Sequence, residues 1–254
     1  MSLLHAEYLK LSRRRIYPLM VVILATFIGL AAFFLLALGQ IAPEIAEDVP
    51  VLDRPEAYVV GAQQVASQTW FALILAVVVL GGELATTAWA TALTRDARRV
   101  AHITARVIVF VAASWLAMVL ATAGWAVFVT IVSPGEGSPG IDGWLDIFWR
   151  LGLIQLAWVT LGMGVIASIR SIGPALGAAI GFSFIESLFA LWGPYENISL
   201  TAASTGLFQV GDQGFFDAFV PGGDLSTAHS VAIVLGWSLF GLLLTWWGLQ
   251  RRDA

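Results

Sequence analysis

The chain has 254 residues, 59% of them hydrophobic and only 12% charged, with a formal net charge of −4. Domains that fold in water carry about 25% charged residues, so a soluble body is excluded and lipid is the expected solvent. Without cysteine there is no disulfide or thiolate metal site, and His5, His102 and His229 lie too far apart for metal-ligand spacing.

The first element is SLLHAEYLKLSRRR, residues 2–15. Leu4, Tyr8 and Leu11 share one helical face, with Glu7, Lys10 and Arg14 elsewhere. That pattern predicts an amphipathic segment lying in the interface before the chain turns into the membrane; a plain basic flank is the alternative. The apolar run at 17–39 is longer than the 7–15 residues of a secretory signal core and no small-residue cleavage site follows, so it reads as an uncleaved span.

A spanning helix needs about 20 mostly apolar residues. Six stretches qualify: 17–39, 60–82, 103–132, 147–169, 173–192 and 229–249. The second is diluted by Gln63, Gln64, Ser67 and Gln68, and the third is long enough for one end to project. No repeat, linker or soluble domain interrupts them, so residues 1–254 form a single all-α, polytopic membrane domain. The connection at 193–228 is too apolar for a free loop and is expected to fold back on the outer membrane surface. The Asn-Ile-Ser match to a glycosylation sequon at Asn197 is short enough to arise by chance.

Charge sets the orientation. Lys10, Arg13, Arg14 and Arg15 precede the first span; Arg95, Arg98, Arg99 and Arg106 surround the second connection; Arg170 lies in the fourth, and Arg251 and Arg252 follow the last span. These are eleven of the thirteen basic residues, while twelve of the seventeen acids fall on the opposite side with Arg54 and Arg150. Short basic loops stay cytoplasmic, so both termini are predicted inside.

Two acids interrupt the apolar runs. Glu83 admits two placements: the second helix continues straight to Thr94 and buries it, or the span ends at Gly81-Gly82 and residues 83–94 form a separate helix at the cytoplasmic surface. The glycine pair lowers helix propensity there, and an acid suits a helix N-terminus, so the second placement is preferred. Glu186 lies about 18 Å beyond Pro174 along its helix, roughly opposite a stripe of Gly173, Gly177 and Gly181 that permits close helix approach. It is either a lining residue of a substrate path or a carboxyl hydrogen-bonded to a neighbour, the second being preferred.

Several chemistries are excluded. The one lysine, Lys10, follows no glycine-rich loop, so there is no P-loop. There is no His-Glu-x-x-His, no Gly-x-Ser-x-Gly and no Ser–His–Asp arrangement, which argues against an enzyme, including one acting on lipid. Two intramembrane acids are few for a proton-coupled carrier.

The opening stretch, with Glu7, Lys10, Leu11 and Arg13, resembles the amino-terminal Glu-x-x-Lys-Leu-x-Arg pattern of ABC transporter type-2 permeases. Glu83, Thr87 and Arg95 or Arg98 resemble that family's signature between the second and third spans, and Arg251, Arg252 and Asp253 its common ending. Ala85 or Thr86 stands where glycine usually precedes the threonine, the usual Pro-x-Ser is missing, and Arg106 replaces a common lysine. The chain looks closest to compact permeases of bacitracin, lantibiotic or other peptide and drug efflux.

The resemblance implies an amino-terminal elbow (Glu7, Lys10, Arg13 and Arg14) and a cytoplasmic coupling helix over 83–99, with Glu83, Thr87, Arg95, Arg98 and Arg99 meeting an ATPase. It implies two copies of a separate ATPase subunit carrying ATP and magnesium, and a second permease chain, identical or related, packed through the Gly173, Gly177 and Gly181 face. The expected role is export of an amphiphilic peptide, drug or lipid-like molecule across a prokaryotic inner membrane, with Glu186 on its path. No cofactor in this chain and no nucleic acid are expected. The alternative is a membrane immunity or scaffold protein that sequesters a toxic peptide without moving it.

Overall fold

The computed structural model describes residues 3–41, 57–86, 98–132, 137–208 and 225–250, with the backbone alone over 35–41. Regular structure among them is all helical: α1 (Leu3–Ser12), α2 (Ile16–Ile41), α3 (Ala57–Ala66), α4 (Trp70–Ala85), α5 (Arg99–Val132), α6 (Ile141–Ile169), α7 (Ile172–Ala190), α8 (Gly193–Glu196), α9 (Leu200–Phe208) and α10 (Thr227–Gln250). Six stretches are long and apolar enough to cross a bilayer: α2, α3 with α4, α5, α6, α7 and α10. The chain is therefore a multi-pass membrane protein, and helices satisfy the backbone where water cannot. Pro18 and Pro174 each occupy the third position of their helix, where a missing amide removes no intrahelical bond.

The expected spans are all present, with two changes. The third begins at Arg99, so its surplus length projects at the basic end. The second is in two pieces, α3 and α4, divided at residues 67–69. The expected fold-back after span five also goes deeper than a surface segment. Helix α9 buries Leu200, Ala202, Ala203 and Leu207 and packs on α10, α7, α3 and α6. The connections at 42–56 and 209–224 lie outside the described residues.

Helix α6 is the axis of the bundle. Leu151, Ile154, Ala157, Trp158, Met163 and Ile166 have no exposed surface, and α4, α5, α7 and α10 surround them. Helices α1 and α2 lie outside, against α5. The tightest seam is α6 with α10. Its buried positions Val234, Ser238, Gly241, Thr245 and Gly248 recur at alternating steps of four and three, the repeat that keeps one seam facing a partner. A Cβ added to Gly241 would stand 2.6 Å from the Thr160 carbonyl carbon, and one on Gly248 2.7 Å from that of Ala167. Ser238 and Thr245 return their hydroxyls to their own helix, on the carbonyls of Val234 and Gly241. Small residues here substitute backbone contact for side-chain volume.

The stripe of Gly173, Gly177 and Gly181 behaves differently: an added Cβ at each meets nothing within 4 Å. The close packing expected of it is therefore not with another helix among the described residues. Helices α6 and α7 join through Arg170 and Ser171 alone. Arg170 takes the left-handed conformation (φ 64°), and its amide caps the Ile166 carbonyl at 2.9 Å.

These environments predict opposite responses to one added methyl. Gly241→Ala should lower stability in detergent by about 1–3 kcal/mol through overpacking. Gly177→Ala should be neutral or gain up to about 1 kcal/mol of helix propensity. Thermal unfolding of the two variants checks this.

Candidate functional site

Five charged residues distant in sequence meet at the basic end. Glu7 and Leu11, one turn apart on α1, turn into the protein and are buried, whereas Leu4 and Tyr8 are 44% and 59% exposed. The apolar face read from the sequence is thus split: Leu11 packs inward beside an acid, and Leu4 and Tyr8 face outward. Arg14, in the turn before α2, reaches the Val79 carbonyl at 3.2 Å and stands 3.6 Å from Glu83. Lys10 lies 2.7 Å from Glu7 and 3.8 Å from Glu83. At the centre is Arg106 of α5, 1% exposed, paired with Glu83 through Nη2 and with Glu7 through Nε at 3.5 Å.

Neither expected placement of Glu83 is met whole: the helix passes the glycine pair and buries the acid, but ends at Ala85 and not at Thr94. Helix α4 runs on through Gly81 and Gly82 to Ala85, and Glu83 is buried at 3%. The expected break at the glycine pair is not there, and Glu83 closes a span instead of opening a surface helix. The two glycines serve close approach instead. A Cβ on Gly81 would lie 2.7 Å from Ile172 Cγ1, and one on Gly82 3.0 Å from the Arg14 guanidinium. The cost of burying an acid is offset by three cations, one of them equally buried. Thr86 ends the helix by bonding its hydroxyl to the Gly82 carbonyl at 2.9 Å.

Of the other residues expected between spans two and three, Thr87 and Arg95 lie outside the described residues. Arg98 precedes α5 and Arg99 is its first residue, both exposed. Arg13 is exposed and stands apart from the ion pairs described here. The sequence identified Glu7, Lys10, Arg14 and Glu83 separately but gave Arg106 no part in the cluster. The signal for it was an arginine at the fourth position of an apolar span, where a charge needs a partner.

The second intramembrane acid has a local role. Glu186 is 1% exposed and accepts hydrogen bonds from the Ser199 hydroxyl at 2.6 Å, the Thr201 amide at 3.0 Å and the Thr201 hydroxyl. Ser199 in turn caps α9 by accepting the Ala202 amide at 3.0 Å. At the far end of α9, Arg150 donates to the Leu207 carbonyl while paired with Asp146. An acid at the amino end and a base at the carboxyl end both complement the helix dipole. Burial, reinforced by the Glu186 charge, lifts the Tyr195 phenol above its ordinary value. The carboxylate's acceptor sites are thus taken up by α9. Among the described residues no group of three or more His, Asp or Glu could hold a metal ion.

Two outcomes follow. Arg106→Met should destabilise the protein by about 3–5 kcal/mol, because two buried acids lose their central cation. Adding Glu7→Gln and Glu83→Gln should restore much of the loss in a thermal melt. Glu186→Ala should accelerate amide exchange across Leu200–Phe208 by about tenfold or more, since a hydrogen bond to a charged group contributes about 1.5–3 kcal/mol. Glu186→Gln, which keeps one acceptor oxygen, should do so less.

The chain matches no protein-family model, and no curated protein matches it in sequence. Its function is therefore argued from the geometry above.

Proposed function

We propose that the chain is the membrane-spanning permease subunit of an ATP-driven exporter, with ATP bound and hydrolysed on separate subunits. One observation carries this reading: the ion cluster ties both ends of the connection between spans two and three to the amino-terminal helix. Glu83 stands three residues before that connection and Arg106 eight residues after Arg98, and Glu7 and Lys10 of α1 join them. A force applied to the connection would reach α1, α4 and α5 together, because buried ion pairs do not stretch independently. A cytoplasmic motor needs such a handle. In this reading the basic end faces the cytoplasm, and the basic flanks at Arg95, Arg98 and Arg99 fix the register of a docked ATPase.

The cargo in this proposal is amphiphilic. Two apolar depressions open on the bundle surface. One, of about 440 Å³, lies between α2 and α5 beside Ile28, Phe33, Leu120 and Phe128. The other, of about 570 Å³, lies between α7 and α10 beside Phe182, Trp237 and Phe240. Surfaces of this kind accept hydrocarbon, not ions.

The test is purification of the tagged chain from native membranes in mild detergent. A vanadate-sensitive ATPase should come with it, and inverted vesicles should move a fluorescent amphiphilic peptide in an ATP-dependent manner. Combined Arg95→Glu, Arg98→Glu and Arg99→Glu should reduce the bound ATPase at least tenfold while the permease stays inserted. A chain that binds peptide with no ATPase and no ATP dependence would be a sequestering immunity protein, and the exporter reading would fall.

A further inference from the structure

Span two is broken although it contains no proline. At the break, side chains compete for backbone groups. Ser67 donates to the Gln64 carbonyl at 2.7 Å, the Gln68 amide reaches the same carbonyl at 3.3 Å, and the Trp70 indole donates to Gln68 Oε1 at 2.8 Å. No backbone amide reaches the Ala66 carbonyl across the gap, and Ala66 is 1% exposed.

Two side chains of the central helix sit at this depth. Helices α4 and α6 run in the same direction and touch at Gly162, whose added Cβ would meet Ala76 Cβ at 2.9 Å and the Leu73 carbonyl at 3.1 Å. Seven residues back, about 10 Å, α6 reaches Gln155 and α4 reaches the break. Helix α7 gives the same level independently. Its adjacent residues Phe182 and Ser183 meet the Trp158 ring (centroids 6.2 Å apart) and the Thr69 hydroxyl at 2.9 Å.

Gln155 and Trp158, three residues apart on one face of α6, have no exposed surface. The Ser114 hydroxyl donates to Gln155 Oε1. Gln155 Nε2 and Trp158 Nε1 hydrogen-bond no atom among the described residues. Two buried donors at the level of an interrupted helix with an unbonded carbonyl are complementary to a group that both accepts and donates. The nearest intramembrane charges are committed elsewhere, Glu186 to the start of α9 and Arg150 to its end. A charged guest would have no counter-ion.

We propose that Gln155, Trp158 and the Ala66 carbonyl form an internal site for one uncharged donor–acceptor group, either a bound water or the secondary amide of a molecule held in the bundle. The two N–H groups donate to its oxygen, and its own hydrogen goes to the carbonyl. The site stands whether or not an ATPase binds the chain; its amide form would specify the cargo of the proposed exporter.

The experiment follows the indole N–H of Trp158 in full-length protein labelled with ¹⁵N-tryptophan in lipid nanodiscs. The signal is identified as the one lost in Trp158→Phe. Should that variant fail to insert, Phe182→Leu, which alters the neighbouring ring, marks the same signal. Magnetisation transfer from water to this N–H, unaffected by N-decylacetamide, assigns the site to water. A saturable shift on adding N-decylacetamide, but not dodecane, assigns it to the amide. In either case Gln155→Met should reduce the water transfer, or weaken the amide titration, at least tenfold. A Trp158 N–H that shows no water contact, ignores the amide and is unmoved by Gln155→Met would overturn the proposal.

Discussion

A single buried guanidinium organises the basic end. Arg106 reaches Glu7 on the first helix and Glu83 at the end of the fourth, with almost no contact with solvent. Neither acid could be buried without it, and it could not be buried without both. Once that triangle is fixed, other features follow. Helix α4 continues through a glycine pair, α1 lies against α5 with an acid turned inward, and the connection between the two spans starts and ends at tethered points. Lys10 and Arg14, whose side chains are 41% and 31% exposed, leave the cluster with an excess positive charge on its rim. That rim lies on the side where the short basic connections collect.

The membrane interior is organised by contact area instead. Helix α6 meets α10 backbone to backbone, with glycines at the points of closest approach and hydroxyls folded onto their own helix. Lipid offers no hydrophobic drive for two helices to associate, so the seam depends on dispersion over a long, close contact. Helix α7 carries as regular a glycine series and makes no such contact among the described residues. Spacing alone does not tell these two uses apart. What separates them is the company the small residues keep: Ser238 and Thr245 interleave with the glycines of α10, whereas the large, exposed Phe184, Ile185 and Leu188 follow those of α7 along the chain.

The six spans were legible because hydrocarbon demands long uninterrupted apolar runs, a constraint that acts on every residue of the run. The break in the second was half legible. Gln63, Gln64, Ser67 and Gln68 stood out as polar, but their competition for carbonyls depends on geometry that composition does not carry. The glycine pair at 81–82 misled for a related reason. Propensity treats glycine as a weak helix former, and here Ile172 and Arg14 occupy the space a side chain would have filled. Tertiary contact outweighed a local cost of about 1 kcal/mol per residue. Glu186 was read as a hydrogen-bonded carboxyl in preference to a path residue, and its partners are of that kind. The fold-back between spans five and six was expected; that the start of its short helix supplies those partners was beyond the sequence.

That short helix has a consequence for how the protein is made. Arg150 is synthesised 57 residues before the carbonyl it serves, and Glu186 13 and 15 residues before its hydroxyl and amide donors. When spans four and five enter the bilayer, neither charge yet has α9 to receive it. The acid remains a liability inside a span until Ser199 and Thr201 fold back. Spans four and five and α9 are thus one unit of biogenesis: until residues 199–207 follow, Glu186 lacks its donors and Arg150 has Asp146 but not the α9 carbonyl.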